Sequence, residues 1–168
     1  MTWVLDATLF LLTVVGMEFV AWWVHRYLMH GVGWHWHQSH HVPHSRGWEK
    51  NDLFALCFAP VAASCIIAGS RLSWAWLLWM GMGMTAYGVL YALVHDGLVH
   101  QRWPLRITPR RGYLKRLVQA HRLHHASGGK DGAVSFGFLF PADVRRLAAE
   151  VKARRAPRPA PGASLPED

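Results

Sequence analysis

Apolar residues run through positions 3–24, 53–69 and 72–94 with few polar interruptions, and polar, histidine-rich stretches fill the intervals between them. Each run is close to the roughly 20 residues a helix needs to cross a hydrocarbon core of about 30 Å. The pattern predicts an all-α integral membrane protein of about three transmembrane helices. The second run is the shortest and joins the third through Ser70-Arg71, so the two are expected to cross as a hairpin. The first run lacks a basic start and a small-residue cleavage site before Trp22-Trp23, and reads as a retained helix rather than a cleaved signal.

Charge orients these spans. Arg26, Arg46 and Lys50 follow the first run, and Arg102, Arg106, Arg110, Arg111, Lys115, Arg116, Arg122 and Lys130 follow the third, while no Lys or Arg precedes the first. The positive-inside tendency places both polar blocks on the cytoplasmic side of a multi-pass membrane protein, with the amino terminus outside. The formal net charge of +8 fits contact with anionic lipid headgroups. No nucleic-acid-binding motif accompanies it, so nucleic acid is not an expected partner.

Composition adds 52% hydrophobic residues and ten Trp. Cys57 and Cys65 lie eight residues apart, about 12 Å along a helix, too far for a disulfide. Residues 1–140 read as one membrane-embedded domain. Residues 141–168 read as a basic C-terminal segment, with a surface helix to Arg155 and a disordered Pro/Ala-rich tail from Ala156.

The chemistry lies in the twelve histidines. His25, His30, His37, His40 and His41 form one pattern, H-x-x-x-x-H followed by H-x-x-H-H, and His95, His100, His121, His124 and His125 repeat it. Neutral imidazole is a good ligand for transition metals, and a duplicated pattern of this density has no use in packing or capping. His35 and His44 stand outside both copies, one beside Trp34 and Trp36 at the interface, the other in a Pro-Ser loop.

Helix geometry bears on the spacing. At about 100° per residue, His37, His40 and His41 fall within about 100° of one another, as do His121, His124 and His125. Members of the H-x-x-x-x-H pairs fall about 140° apart. They therefore need a helical bulge, or a bridging placement, to serve one ion. All-nitrogen ligation leaves zinc, iron, copper and nickel open. Ten ligands exceed a single structural zinc site, whereas two ions with five nitrogens each keep positions open for dioxygen. A di-iron centre suits this arrangement, although the donor type alone does not choose iron.

Longer strings extend the pattern: Gly16-Met17-Glu18, His25-Arg26-Tyr27-Leu28-Met29-His30, Asn51-Asp52-Leu53, Met84 to Tyr91, His95-Asp96-Gly97-Leu98-Val99-His100-Gln101-Arg102-Trp103-Pro104, Gly112 to Leu117, Ala120 to Ala126 and Ser135-Phe136-Gly137-Phe138-Leu139. In these the chain resembles the bacterial β-carotene hydroxylases of the membrane fatty-acid-hydroxylase superfamily, over most of residues 16–140. The histidine boxes mark the superfamily; the H-D-G-L-V-H-Q-R-W-P and S-F-G-F-L strings point to the carotenoid branch.

That resemblance implies a non-haem di-iron monooxygenase with a cytoplasmic-side histidine-rich cap. It implies O2-dependent hydroxylation of β-ionone rings at carbon 3, from β-carotene through β-cryptoxanthin to zeaxanthin. Ketolated rings, canthaxanthin giving astaxanthin, stay open as substrates. The ten box histidines are the implied ligands of two iron ions. Electrons are expected from reduced ferredoxin or an equivalent NAD(P)H-fed chain, since the sequence carries no flavin or haem motif. Membrane lipids, a carotenoid and other carotenoid-pathway enzymes are the remaining expected partners. A fatty-acid or sterol hydroxylase, a desaturase or a carotenoid ketolase shares the boxes. From another class, a membrane metal transporter stays open, although only Asp6 and Glu18 are acidic within the spans.

Three acidic residues are candidates to orient ligands from behind: Glu18, on nearly the same helical face as His25, Asp52 and Asp96. Trp22, Trp23, Tyr27, Tyr87, Tyr91 and Trp103 are candidates to line a ring-binding pocket, against interfacial anchoring or core packing as the plainer role for each.

Overall fold

The computed structural model describes residues 2–42, 47–104 and 106–155. His44 and the tail from Ala156 lie outside them. The described residues form helices and no strands. Helix α1 (Thr2–Trp23) runs on as a π-helical segment, Val24–Val32, and a short α2 (Trp34–His41) follows. A hairpin of α3 (Asp52–Arg71) and α4 (Ala75–Tyr91) comes next, and α4 also continues as a π-helical segment, Ala92–Val99. Two further helices, α5 (Gly112–His125) and α6 (Val144–Arg155), complete the fold.

Three helical stretches are long and apolar enough to cross a membrane: Thr2–Val32, Asp52–Arg71 and Ala75–Val99. Their most apolar windows are only 6%, 17% and 17% buried within the protein, so most of this apolar surface faces outward and requires lipid to cover it. The chain is a membrane protein.

Small residues set how closely the spans pack. A side chain at Gly69 would collide with the Leu78 backbone nitrogen, one at Gly81 would meet the Ala62 carbonyl at 2.9 Å, and one at Gly83 the Phe10 carbonyl at 2.9 Å. Helix α4 thus rests backbone-close on α3 and α1. The hairpin turns slightly later than Ser70-Arg71. Helix α3 continues through Arg71, Leu72 N–H still reaches the Ala68 carbonyl at 2.9 Å, and Ser73 takes a positive φ of 56°.

The cap has its own core. Val99, Leu117, Val118 and Phe138 pack together, and Ala120 and Val134 meet Leu147 and Val151. The basic helix α6 therefore docks on α5 through its apolar edge, leaving Arg145, Arg146, Lys152 and Arg155 exposed.

Candidate metal centre

The His25–His30 spacing falls inside the first π-helical segment, and His95–His100 runs from within the second to the residue that caps it. Gly33 N–H bonds to the Leu28 carbonyl at 2.8 Å and His100 N–H to the His95 carbonyl at 2.9 Å, each a reach of five residues. A turn closed this way stacks residues five apart on one face, which an α-helix does not. His25 and His30 thereby point the same way, and so do His95 and His100.

Two clusters result. His25, His30, His37, His41 and His124 bring one ring nitrogen each within 4.8 Å of one another, and His40, His95, His100 and His121 do the same. His125 adjoins the second cluster, its Nε2 2.9 Å from that of His121, and its ring stacks on His41 of the first at 4.4 Å between centroids. The clusters are neighbours. In each H-x-x-H-H box the first and last histidines stay on one side while the middle one crosses: His40 joins the second cluster and His124 the first.

The outer nitrogens are held. His25 Nδ1–H donates to the Phe136 carbonyl (3.1 Å), His30 to that of Lys130 (2.8 Å) and His124 to that of Val134 (3.0 Å). His37 donates to Asn51 Oδ1 (2.7 Å), His40 to Glu49 Oε2 (2.9 Å) and His95 to Asp96 Oδ1 (2.8 Å). With the proton committed to Nδ1, each Nε2 presents only a lone pair. Yet Nε2 atoms face each other at 3.1 Å between His25 and His37, 3.2 Å between His30 and His124, and 3.1 Å between His40 and His95. Opposed lone pairs repel unless a cation lies among them. Nitrogens at right angles about an ion roughly 2.1 Å away stand about 3.0 Å apart, so the donor set fits a metal ion in each cluster.

Burial keeps these imidazoles in the neutral, ligating form. It pushes His37 down to about 3. Burial first and His125 second push His41 down to about 2. His40, His121 and His124 are also held well below the ordinary histidine value, by burial and then by neighbouring imidazoles.

The acidic candidates divide. Asp96 stands behind His95, whereas Asp52 binds Arg102, with Nη1 to Oδ1 and Nη2 to Oδ2 both at 2.7 Å. Glu18 has no hydrogen bond to a histidine among the described residues. It is 6% exposed and takes the Tyr87 hydroxyl (2.7 Å) and the backbone N–H groups of Phe138 (2.6 Å), Leu139 (2.7 Å) and Phe140 (3.3 Å). Four donors on one carboxylate explain its place inside a span. Glu49 and Asn51, behind His40 and His37, were not among the sequence candidates. Both lie in the polar stretch after the first box, and Asn51 also opens the Asn51-Asp52-Leu53 string, but neither signal assigned them a role.

An apolar cavity of about 660 Å³ lies between the three spans, within the usual size range for small-molecule sites. Met17, Phe58, Ile66 and Met84 line its membrane side, and it ends against His25, His37, His95 and His121. Of the aromatic candidates, Tyr87 and Tyr91 line it. Tyr91 stacks on His95 at 4.3 Å and its hydroxyl donates to His95 Nε2 at 3.3 Å. Trp22, Trp23, Tyr27 and Trp103 do not line it. Trp22 and Tyr27 instead flank the Arg26 guanidinium, Trp23 is 51% exposed, and Trp103 covers Gly97. His35 is exposed, reaches the Val32 carbonyl and packs beside the Trp36 ring.

Known proteins are similar to this chain over most of its length. The chain is 52% identical over 158 residues to a β-carotene hydroxylase of Pantoea ananas, covering 94% of this chain and 90% of that one. It is 51% identical over 148 residues to a β-carotene hydroxylase of Paracoccus sp. (strain PC1), covering 88% and 91%. The chloroplastic β-carotene 3-hydroxylase 2 of Arabidopsis thaliana is 39% identical over 137 residues, 79% of this chain and 45% of the plant protein. No solved structure gives a match. The fatty acid hydroxylase family matches residues 10–143, a stretch that takes in every box histidine and the cavity between the spans, and the chain belongs to that family.

Proposed function

We propose that this protein hydroxylates β-ionone rings at carbon 3, taking β-carotene through β-cryptoxanthin to zeaxanthin, with O2 as cosubstrate. The observation that carries the reading is the cavity. It is apolar where it meets the lipid-facing spans and ends at both histidine clusters. The names of the relatives support the substrate and the carbon-3 assignment.

Two non-haem irons would be held by His25, His30, His37, His41 and His124 on one side and by His40, His95, His100, His121 and His125 on the other. Bound iron supplies the activation of O2 needed to break an unactivated C–H bond. One oxygen atom enters the product. The other leaves as water, with two electrons from two reduced ferredoxins or an equivalent NAD(P)H-fed donor and two protons from solvent.

The chain's own residues prepare this reaction. Met17, Phe58 and Ile66 admit an apolar ring from the bilayer and exclude water. Tyr91, packed flat on His95, stands at the boundary between cavity and cluster. Phe136 sits 5.6 Å from His25 and 5.3 Å from His124, closing the inner wall. The clusters share one end of the spans with Arg26, Lys50 and Arg102, so the positive-inside tendency supports an inner-membrane protein whose site faces the cytoplasm. A lipid-borne substrate and a water-borne electron donor then reach the site from different sides.

Expression in cells that accumulate β-carotene tests the activity. The expected result is 3-hydroxylated pigment, and pigment that stays unchanged or gains only a ketone refutes the proposal. Iron analysis of the purified protein tests the cofactor, with two equivalents expected.

A further inference from the structure

The two clusters are supported by acceptors of different charge. In the cluster of His25, His30, His37, His41 and His124, four Nδ1 atoms have neutral partners, three backbone carbonyls and the Asn51 amide oxygen, and the buried Nδ1 of His41 has no partner among the described residues. Behind the other cluster, His40 donates to Glu49 and His95 to Asp96. Glu49 is only 4% exposed.

Arg102 joins these carboxylates into one unit. Its Nε lies 3.6 Å from Glu49 Oε1 and its Nη1 3.7 Å from Asp96 Oδ1, while its strongest contacts go to Asp52. The guanidinium thus connects all three carboxylates and fixes Glu49 and Asp96 in place behind His40 and His95.

A carboxylate behind an imidazole raises electron density at the opposite nitrogen and strengthens its bond to a metal, and losing such a partner typically costs about 10–100-fold in affinity. A neutral carbonyl orients the ring with much less of this effect. We propose that Glu49 and Asp96 make the His40–His95–His100–His121 cluster the tighter of two unequal metal sites, the cluster containing Asn51-bound His37 being the weaker. The proposal rests on the reading that both clusters bind metal.

The test uses the full-length protein in detergent, stripped by a chelator and titrated with Co2+ against a competing chelating dye, with Co2+ absorption as a second readout. Wild type is expected to bind two equivalents with dissociation constants about 10–100-fold apart. Glu49→Gln and Asp96→Asn keep an acceptor for the imidazole proton but remove the charge. Each is expected to weaken the tighter step by about 10–100-fold and to leave the weaker step unchanged. Asn51→Asp does the converse, adding a charge behind His37, and is expected to tighten the weaker step. A gain of that kind cannot come from misfolding, so it decides the matter even where the other variants fold poorly. Equal constants in wild type, loss confined to the weaker step or shared by both in Glu49→Gln and Asp96→Asn, or an unchanged weaker step in Asn51→Asp, overturns the proposal. Absence of any Co2+ binding by wild type is a separate result, and it overturns the metal-centre reading itself.

Discussion

Replacing Glu18 by alanine removes the acceptor for four donors at once, the Tyr87 hydroxyl and the N–H groups of Phe138, Leu139 and Phe140. Hydrogen bonds to a charged group contribute about 1.5–3 kcal/mol each, and the bonds at one site are not additive. Allowing for the long Phe140 contact and for some rehydration, Glu18→Ala is expected to cost on the order of 4 kcal/mol. In detergent this lowers the melting temperature by on the order of 10 °C. Glu18→Gln keeps one oxygen for the amides, and the Tyr87 hydroxyl can turn to accept from its amide group, so its cost is about 1–2 kcal/mol. The loss is local first: hydrogen exchange at the Phe138 and Leu139 amides should accelerate well before the spans open. Because Phe136, two residues earlier, holds His25, the alanine variant should also bind less metal. A Glu18→Ala protein within about 0.5 kcal/mol of wild type, or one with unchanged protection at those amides, refutes the reasoning.

His40→Ala and His124→Ala should each lower bound metal and abolish hydroxylation, and because these residues cross between clusters, each should weaken the site built mainly from the other half of the sequence; metal analysis and pigment chromatography check both. Gly69→Ala and Gly83→Ala place a methyl group against backbone or a rigid Cβ and should destabilise by about 1–3 kcal/mol, seen as lower melting temperatures with the histidine geometry intact. The metal-free protein should lose stability as pH falls below about 6.5. His37 and His41 take up protons in the folded state only near 3 and 2, while the unfolded chain takes them up near the ordinary histidine value, so unfolding is favoured throughout that window. Each such histidine contributes a slope of about 1.4 kcal/mol per pH unit, and melting curves between pH 7 and 5 measure it.

The spans and the duplicated histidines were legible because each depends on residue type and spacing within a short stretch. The five-residue spacing showed that a regular helix was inadequate, yet nothing in Val24–Val32 distinguishes a π segment from other remedies. The crossing of His40 and His124 was hidden because it depends on how α2 and α5 face each other. The acceptors behind His25, His30 and His124 are backbone carbonyls, which every residue carries, so Phe136, Lys130 and Val134 have no signature. Glu18 was visible as a costly residue in a span, but its partners lie about 120 positions further along the chain. Asp52 and Arg102 illustrate the same limit: their separation is 50 residues, and only the folded chain pairs them.

The exchange of His40 and His124 also orders events during synthesis. A nascent chain whose three spans are already in the membrane still lacks His121 and His124, so neither nest of nitrogens is complete until residues 121–125 have left the ribosome. A metal ion arriving earlier would meet only partial sites. Filling of either site would thereby wait for the second histidine box, and a product truncated before it would carry neither complete cluster.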